Sequence, residues 1–149
     1  MILIAKNNIA KVYFNQKEYL TAIEYFQKAI GIFDVIEEKV ELLSALSYVA
    51  LCEAELENES EAFNVIEMIE EKIKLVEDDA IPAIIYWNLY QVYLKFDNQV
   101  EASASLDHAY EHLMTRAGKI ESAEQRENFL NEISENKIII TAWKKKEKG

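Results

Sequence analysis

His108 and His112 are the residues of this chain whose type and spacing come nearest to metal chemistry. Four positions apart on a helix, their rings share one face. A catalytic zinc takes three protein ligands and a structural zinc four, so two imidazoles alone do not make a site. Asp107 and Glu111 point elsewhere round the helix, and no glutamate stands between the histidines as in a zinc protease. Two exposed histidines are the expectation, with no metal and no cofactor. Glu53, Glu55, Glu57, Glu59 and Glu61 alternate, but helix geometry and a turn spread them round a rod rather than across a cleft. The chain has no Gly-rich loop, no Gly-x-Ser-x-Gly and no His-Cys constellation. Its single cysteine, Cys52, excludes an intramolecular disulfide and falls on a core position, which predicts a buried, unreactive thiol. The residues therefore predict a protein that is not an enzyme.

Charge narrows the partners. The net charge is −11, and it is unevenly placed. Residues 1–33 hold four basic and two acidic residues, whereas residues 34–79 hold three basic and fifteen acidic ones. Residues 80–149 hold nine basic and ten acidic. Such a middle segment repels phosphate, so nucleic acid is not an expected partner, while a basic protein surface would be attracted. No apolar run approaches the 18 or so residues of a membrane span. The opening Met-Ile-Leu-Ile-Ala meets Lys6 at once and lacks a basic leader and a cleavage site, so cytoplasmic residence is expected.

What must position any functional side chain is helical. Three glycines and one proline in 149 residues leave little for hairpins. A pattern recurs every 40 residues. Ala22, Ala62 and Ala102 correspond, as do Phe26, Ile66 and Leu106, and then Ala29, Ile69 and Ala109. In the preceding helices Ile9, Val49 and Leu89 correspond, as do Val12, Cys52 and Val92. The breaks fall at Lys17-Glu18, Glu57-Asn58 and Asp97-Asn98. One helix pair cannot bury its apolar faces alone, but stacked pairs bury a continuous core. The pattern predicts three pairs, residues 1–38, 39–78 and 79–117, followed by a helical cap over 118–149. Asp78-Asp79 reads as an N-cap with Pro82 inside the first turn of the fifth helix, and Gly118 as a C-cap. In the cap, two helices are expected near Ser122–Ile133 and Glu135–Lys146, with a cap at Ser134. Phe129, Leu130 and Ile133 would form the inner face.

Ile9, Ala10, Tyr13, Tyr19, Ala22, Phe26 and Ala29 follow the apolar, small and aromatic order of the tetratricopeptide repeat, which this segment resembles. The 40-residue unit exceeds the family's usual 34 or so residues and is similar to its long-helix variants. Copy two departs from the pattern at Glu53, Glu59 and Ile69, copy three at Tyr90. The resemblance covers about residues 1–117. It implies an all-α, right-handed helical-hairpin solenoid of three helix pairs plus two C-terminal capping helices. It also implies that the first helix of each pair lines a concave groove. Carried over, that groove holds Ile4, Asn7, Asn8 and Lys11, then Tyr48, then Trp87, Asn88, Gln91 and Lys95. Amides, two lysines and a few aromatics suit an extended peptide or protein segment. The chaperone-tail carboxylate clamp of some relatives is not reproduced, because Tyr48 stands where it needs asparagine.

The tail carries a second resemblance. Arg126, Phe129, Leu130, Ile133, Asn136, Ile139 and Trp143 are spaced as at the end of repeat regions in large bacterial signalling proteins that carry an ATPase, cyclase or kinase domain. That implies an interaction module forming the C-terminal part of a signalling or regulatory protein. The alternative is a structural spacer, or a self-association segment acting through the uncapped N-terminal face, with no ligand of its own.

Overall fold

The computed structural model describes the backbone from Ile2 to Gly149 and side chains from Lys6 onward; Ile4 of the expected groove lies outside the described side chains. The chain forms α1 (Ile2–Asn15), α2 (Tyr19–Val35), α3 (Lys39–Glu55), α4 (Glu59–Ile73), α5 (Ala83–Lys95), α6 (Gln99–Gly118), α7 (Ala123–Asn131) and α8 (Ser134–Lys148). A single 3-10 turn, Asp78–Ala80, joins α4 to α5, and no strand occurs among the described residues. The fold is an all-helical hairpin solenoid.

Four of the links are the same turn. Lys17, Glu37, Glu57 and Asp97 have positive φ, between 56° and 64°. Around each, two backbone bonds close the preceding helix in the Schellman pattern. Glu18 N–H donates to Tyr13 O (2.9 Å), Glu38 to Phe33 (3.0 Å), Asn58 to Glu53 (2.9 Å) and Asn98 to Tyr93 (2.8 Å). Helix and turn together therefore take 20 residues. The grid fails at Glu77, where the chain is extended (φ −61°, ψ 134°) before the 3-10 turn, and again at Ala117, which is still helical.

Packing follows the repeated positions. Ala22, Ala62 and Ala102 are buried, as are Phe26, Ile66, Leu106, Ala29, Ile69 and Ala109. α3 is the central helix: from Leu42 to Ala54 nearly every residue is buried, with Ser44 and Glu53 only half so. A helix apolar all round is one enclosed on every side. It lies against α2 and α4 and also against α5. Copy one differs on its outer side. Val49 and Cys52 are covered, but their counterparts Ile9 and Val12 are 40% and 53% exposed.

The tail packs on α6. Ile139 is its one fully buried large side chain and meets Ala109 and Leu113, with Phe129, Leu130 and Trp87 at the edges. Arg126 donates to Ala117 O (3.3 Å) and Ile120 O (2.6 Å), tying α7 to the end of α6. Asn136 donates to Phe129 O (2.9 Å) across the α7–α8 bend. Several tail residues that carry the second resemblance thus hold the tail in place.

Some local expectations are corrected. Asp78 and Asp79 belong to the 3-10 turn and cap no α-helix, and Pro82 stands at the N-cap position, outside α5. A proline there keeps extended ψ, and its missing N–H is of no consequence. Gly118 is the last helical residue, and no glycine has positive φ. Ser122 caps α7 by accepting from Gln125 N–H (3.2 Å), but α8 has Ile133, not Ser134, at its N-cap. Ile133 is accordingly 45% exposed rather than on the inner face, and Ile139 fills that role. His108 is exposed as expected, but the His112 side chain is only 10% exposed.

Candidate functional site

Asn7, Asn8 and Lys11 come together on α1. They face Phe33 and Ile36 from the end of α2, and Glu38 and Glu41 from the start of α3. The seven residues line an open cleft of about 450 Å³. Its apolar floor exists because α2 ends there and the Schellman turn at Glu37 carries the chain sideways into α3. Asn8, Glu38 and Glu41 are exposed, whereas Asn7 is only 9% exposed. Among the described residues Asn7 Oδ1 has no hydrogen-bond partner. A buried acceptor left unpaired is a net cost to the fold, so its retention calls for an explanation.

The 40-residue period supplies the comparison. Asn7 corresponds to Ser47, and Tyr48 to Asn88. At the junction of α3 with α5, Asn88 Nδ2 donates to Ser47 Oγ (2.9 Å), and Ser47 in turn donates to Ser44 O (2.7 Å). That junction is closed, with Asn88 1% exposed. At the equivalent junction of α1 with α3 the corresponding positions are Asn7 and Tyr48, and Tyr48 is engaged elsewhere. Its ring lies parallel to Phe26 and edge-on to Phe14, both with centroids 5.3 Å away. Lys11 Nζ sits 5.6 Å from the Tyr48 centroid, within cation–π range. Burial, helped by the Glu135 carboxylate, pushes the Tyr48 phenol up to about 12, so it stays a neutral hydroxyl.

The other expected groove residues do not join this cleft. Trp87 is half-buried, its ring 5.1 Å from Tyr90 and its edge on the Ala109–Leu113–Ile139 cluster. Gln91 Nε2 turns back to Trp87 O (3.5 Å), and Lys95 is exposed in the last turn of α5. The structure thus divides the eight residues into an open set on α1 (Asn7, Asn8, Lys11), the buried Tyr48 on α3, and an α5 set of which Trp87, Asn88 and Gln91 are drawn into the packing while Lys95 stays exposed. Phe33, Ile36 and Glu38 belong to second-helix and turn positions that the groove pattern does not include, and Glu41, in the first turn of α3, was not among the residues carried over.

His112 and Cys52 are built into the packing. His112 Nδ1 faces His108 O (2.8 Å) and Nε2 faces Asp78 O (3.0 Å), with Tyr86 packed 4.9 Å from its ring. It fastens the 3-10 turn to α6. No group of three His, Cys, Asp or Glu able to hold a metal occurs among the described residues. Burial, then Glu53 and Glu55, push the Cys52 thiol up to about 12, which leaves no thiolate for chemistry.

Residues 1–71 match the family model of the tetratricopeptide repeat. The first half of the chain is therefore similar to tetratricopeptide repeats, and that half contains the Asn7 cleft. No curated protein and no solved structure matches the chain. Tetratricopeptide repeats are in general non-catalytic protein–protein interaction modules. None of the described helices is long and apolar enough to cross a membrane.

Proposed function

We propose that this protein is an interaction module that holds an extended segment of another protein along α1 and the start of α3. The carrying observation is Asn7, a nearly buried amide whose acceptor is unpaired at the wall of an open cleft. A peptide backbone N–H is the group such an acceptor lacks, and backbone pairing is how grooves grip extended chains. Asn8 and Lys11 add exposed and half-exposed donors beside it. Of the eight proposed contact residues, Asn7, Asn8 and Lys11 form the working set, with Tyr48 buried behind Lys11. Trp87, Asn88, Gln91 and Lys95 are proposed to extend the track where their exposure allows, Lys95 foremost. The closed α3–α5 junction favours a spacer role for the third pair, with the tail as its cap. The tail's resemblance supports placing the module in a bacterial signalling or regulatory protein, in the cytoplasm.

A photo-crosslinking side chain at position 8 tests this, with the exposed position 68 on α4 as control. Discrete protein adducts are expected from position 8 and not from position 68. Equal adducts from both would refute a groove on α1.

A further inference from the structure

We infer that the Asn7 cleft selects segments in which an apolar residue lies two positions from a lysine or arginine; this rests on the binding reading above. The floor and the rim of the cleft differ in kind. Phe33 and Ile36 form the apolar floor, and Ile36 remains half exposed. Glu38 and Glu41 form the rim, both exposed and neither in an ion pair among the described residues. The one cation of the lining, Lys11, is already set over the Tyr48 ring. Asp34 and Glu37 stand in the same turn, and residues 34–79 hold fifteen acidic against three basic residues. The field at the cleft mouth is therefore negative, which attracts basic segments and turns acidic ones away.

Chain geometry sets the spacing. In an extended segment, side chains two apart point the same way, about 6.6 Å from each other. An apolar residue lowered onto Phe33 and Ile36 brings the residue two away over the Glu38–Glu41 rim. Its backbone N–H meets the Asn7 amide. The terminal torsion of asparagine is soft, so Oδ1 can swing toward the donor at little cost.

The probes are fluorescein-labelled Gly-Ser peptides with four different centres: Lys-Ser-Leu-Ser-Lys, Glu-Ser-Leu-Ser-Glu, Ser-Ser-Leu-Ser-Ser and Lys-Ser-Ser-Ser-Lys. Binding to the full chain is read by anisotropy at about 50 mM salt, where a surface field is weakly screened. The Lys-Leu peptide should bind about threefold to tenfold tighter than its Glu counterpart, the range expected for one or two exposed charge pairs. The E38Q/E41Q variant should abolish that difference and, both sites being exposed, should remain folded. Equal or tighter binding of the Glu peptide overturns the charge selection. Lys-Ser-Ser-Ser-Lys binding as well as Lys-Ser-Leu-Ser-Lys overturns the role of the floor. If all four bind alike and Asn7→Leu weakens all four, the binding reading stands and the selectivity alone falls. If none binds, both fall.

Discussion

The indole of Trp143 lies flat on the ring of Tyr110, with centroids 3.8 Å apart and planes 3° from parallel. From that position Trp143 Nε1 also donates to Asp107 Oδ1 (3.0 Å), and Lys146 reaches the same oxygen and Ser103. This clasp and Ile139 are the main ties between α8 and α6. α7 has no buried residue, so the tail is lightly held.

Trp143→Ala should therefore loosen α8 without unfolding the pairs. Stacked aromatics contribute about 0.5–1.5 kcal/mol beyond area burial, and the lost area and hydrogen bond raise the expected cost to about 1–3 kcal/mol. Hydrogen exchange should quicken over residues 134–148 and stay unchanged in α3. Uniform acceleration through α3 would show that the tail and the pairs unfold as one unit.

Acid should release the same clasp. The Lys146 hydrogen bond, the largest influence, and the Trp143 bond hold the Asp107 carboxyl below its ordinary 3.8, against the opposing effect of burial. A depressed carboxyl stabilises above its unfolded value and loses that contribution as pH falls through its folded value. Tail docking should thus be constant from pH 7 to about 5 and weaken below about pH 4. Asp107 is partly exposed, so the effect is modest. Trp143 fluorescence tracks it, and Asp107→Asn should flatten the profile. An unchanged profile in that variant would assign the transition to other carboxylates.

The αL turns give a prediction of opposite sign. Glu57 adopts φ 63° with no glycine's freedom to do so. A non-glycine residue there costs about 1–2 kcal/mol, against about 0.5–1 kcal/mol of extra chain entropy for glycine. Glu57→Gly should stabilise by about 0.5–1 kcal/mol, read as a raised melting midpoint. Asp97→Gly should gain less, because Asp tolerates this region and Asp97 Oδ1 accepts from Gln99 (3.0 Å). A lowered midpoint for Glu57→Gly would mean that its side chain contributes a contact stronger than the strain.

These turns also show how far the sequence could be read. The helix pairs were legible because a small residue recurs at Ala22, Ala62 and Ala102, all three of which are buried. The turn positions were legible as breaks but not as αL sites, since Lys17, Glu37 and Glu57 carry no local signal for positive φ. Tertiary packing on both sides imposes it. The cleft was half legible. Asn7, Asn8 and Lys11 follow from the tetratricopeptide resemblance, but the resemblance implies the same groove along every first helix. The extended break at Glu77 and the Asn88–Ser47 bond distinguish the closed α3–α5 junction from the open one at Asn7. Both depend on contacts between residues far apart in sequence. Ile139 was overlooked as an anchor for the same reason: its partners Ala109 and Leu113 lie on another helix.

Asn7 itself offers the sharpest test, because the fold and the proposed binding make opposite demands on it. Leucine has nearly the shape of asparagine and needs no hydrogen bond. If Asn7 Oδ1 is unpaired in the free protein, Asn7→Leu removes a buried unsatisfied acceptor and adds apolar burial beside Ala10. Such an exchange should stabilise by about 1–2 kcal/mol. The same exchange deletes the acceptor for an incoming N–H, so binding should weaken about tenfold, the worth of one well-placed hydrogen bond in a desolvated cleft. Ser47→Ala is the matched control at the closed junction. It leaves the buried Asn88 amide without its acceptor and should destabilise by about 1–3 kcal/mol, with peptide affinity unchanged. Melting midpoints and peptide anisotropy on the two variants read both axes. An Asn7→Leu protein that is both less stable and equally competent to bind would show that the amide is a structural group with a partner in solution, and that the cleft is not a binding site.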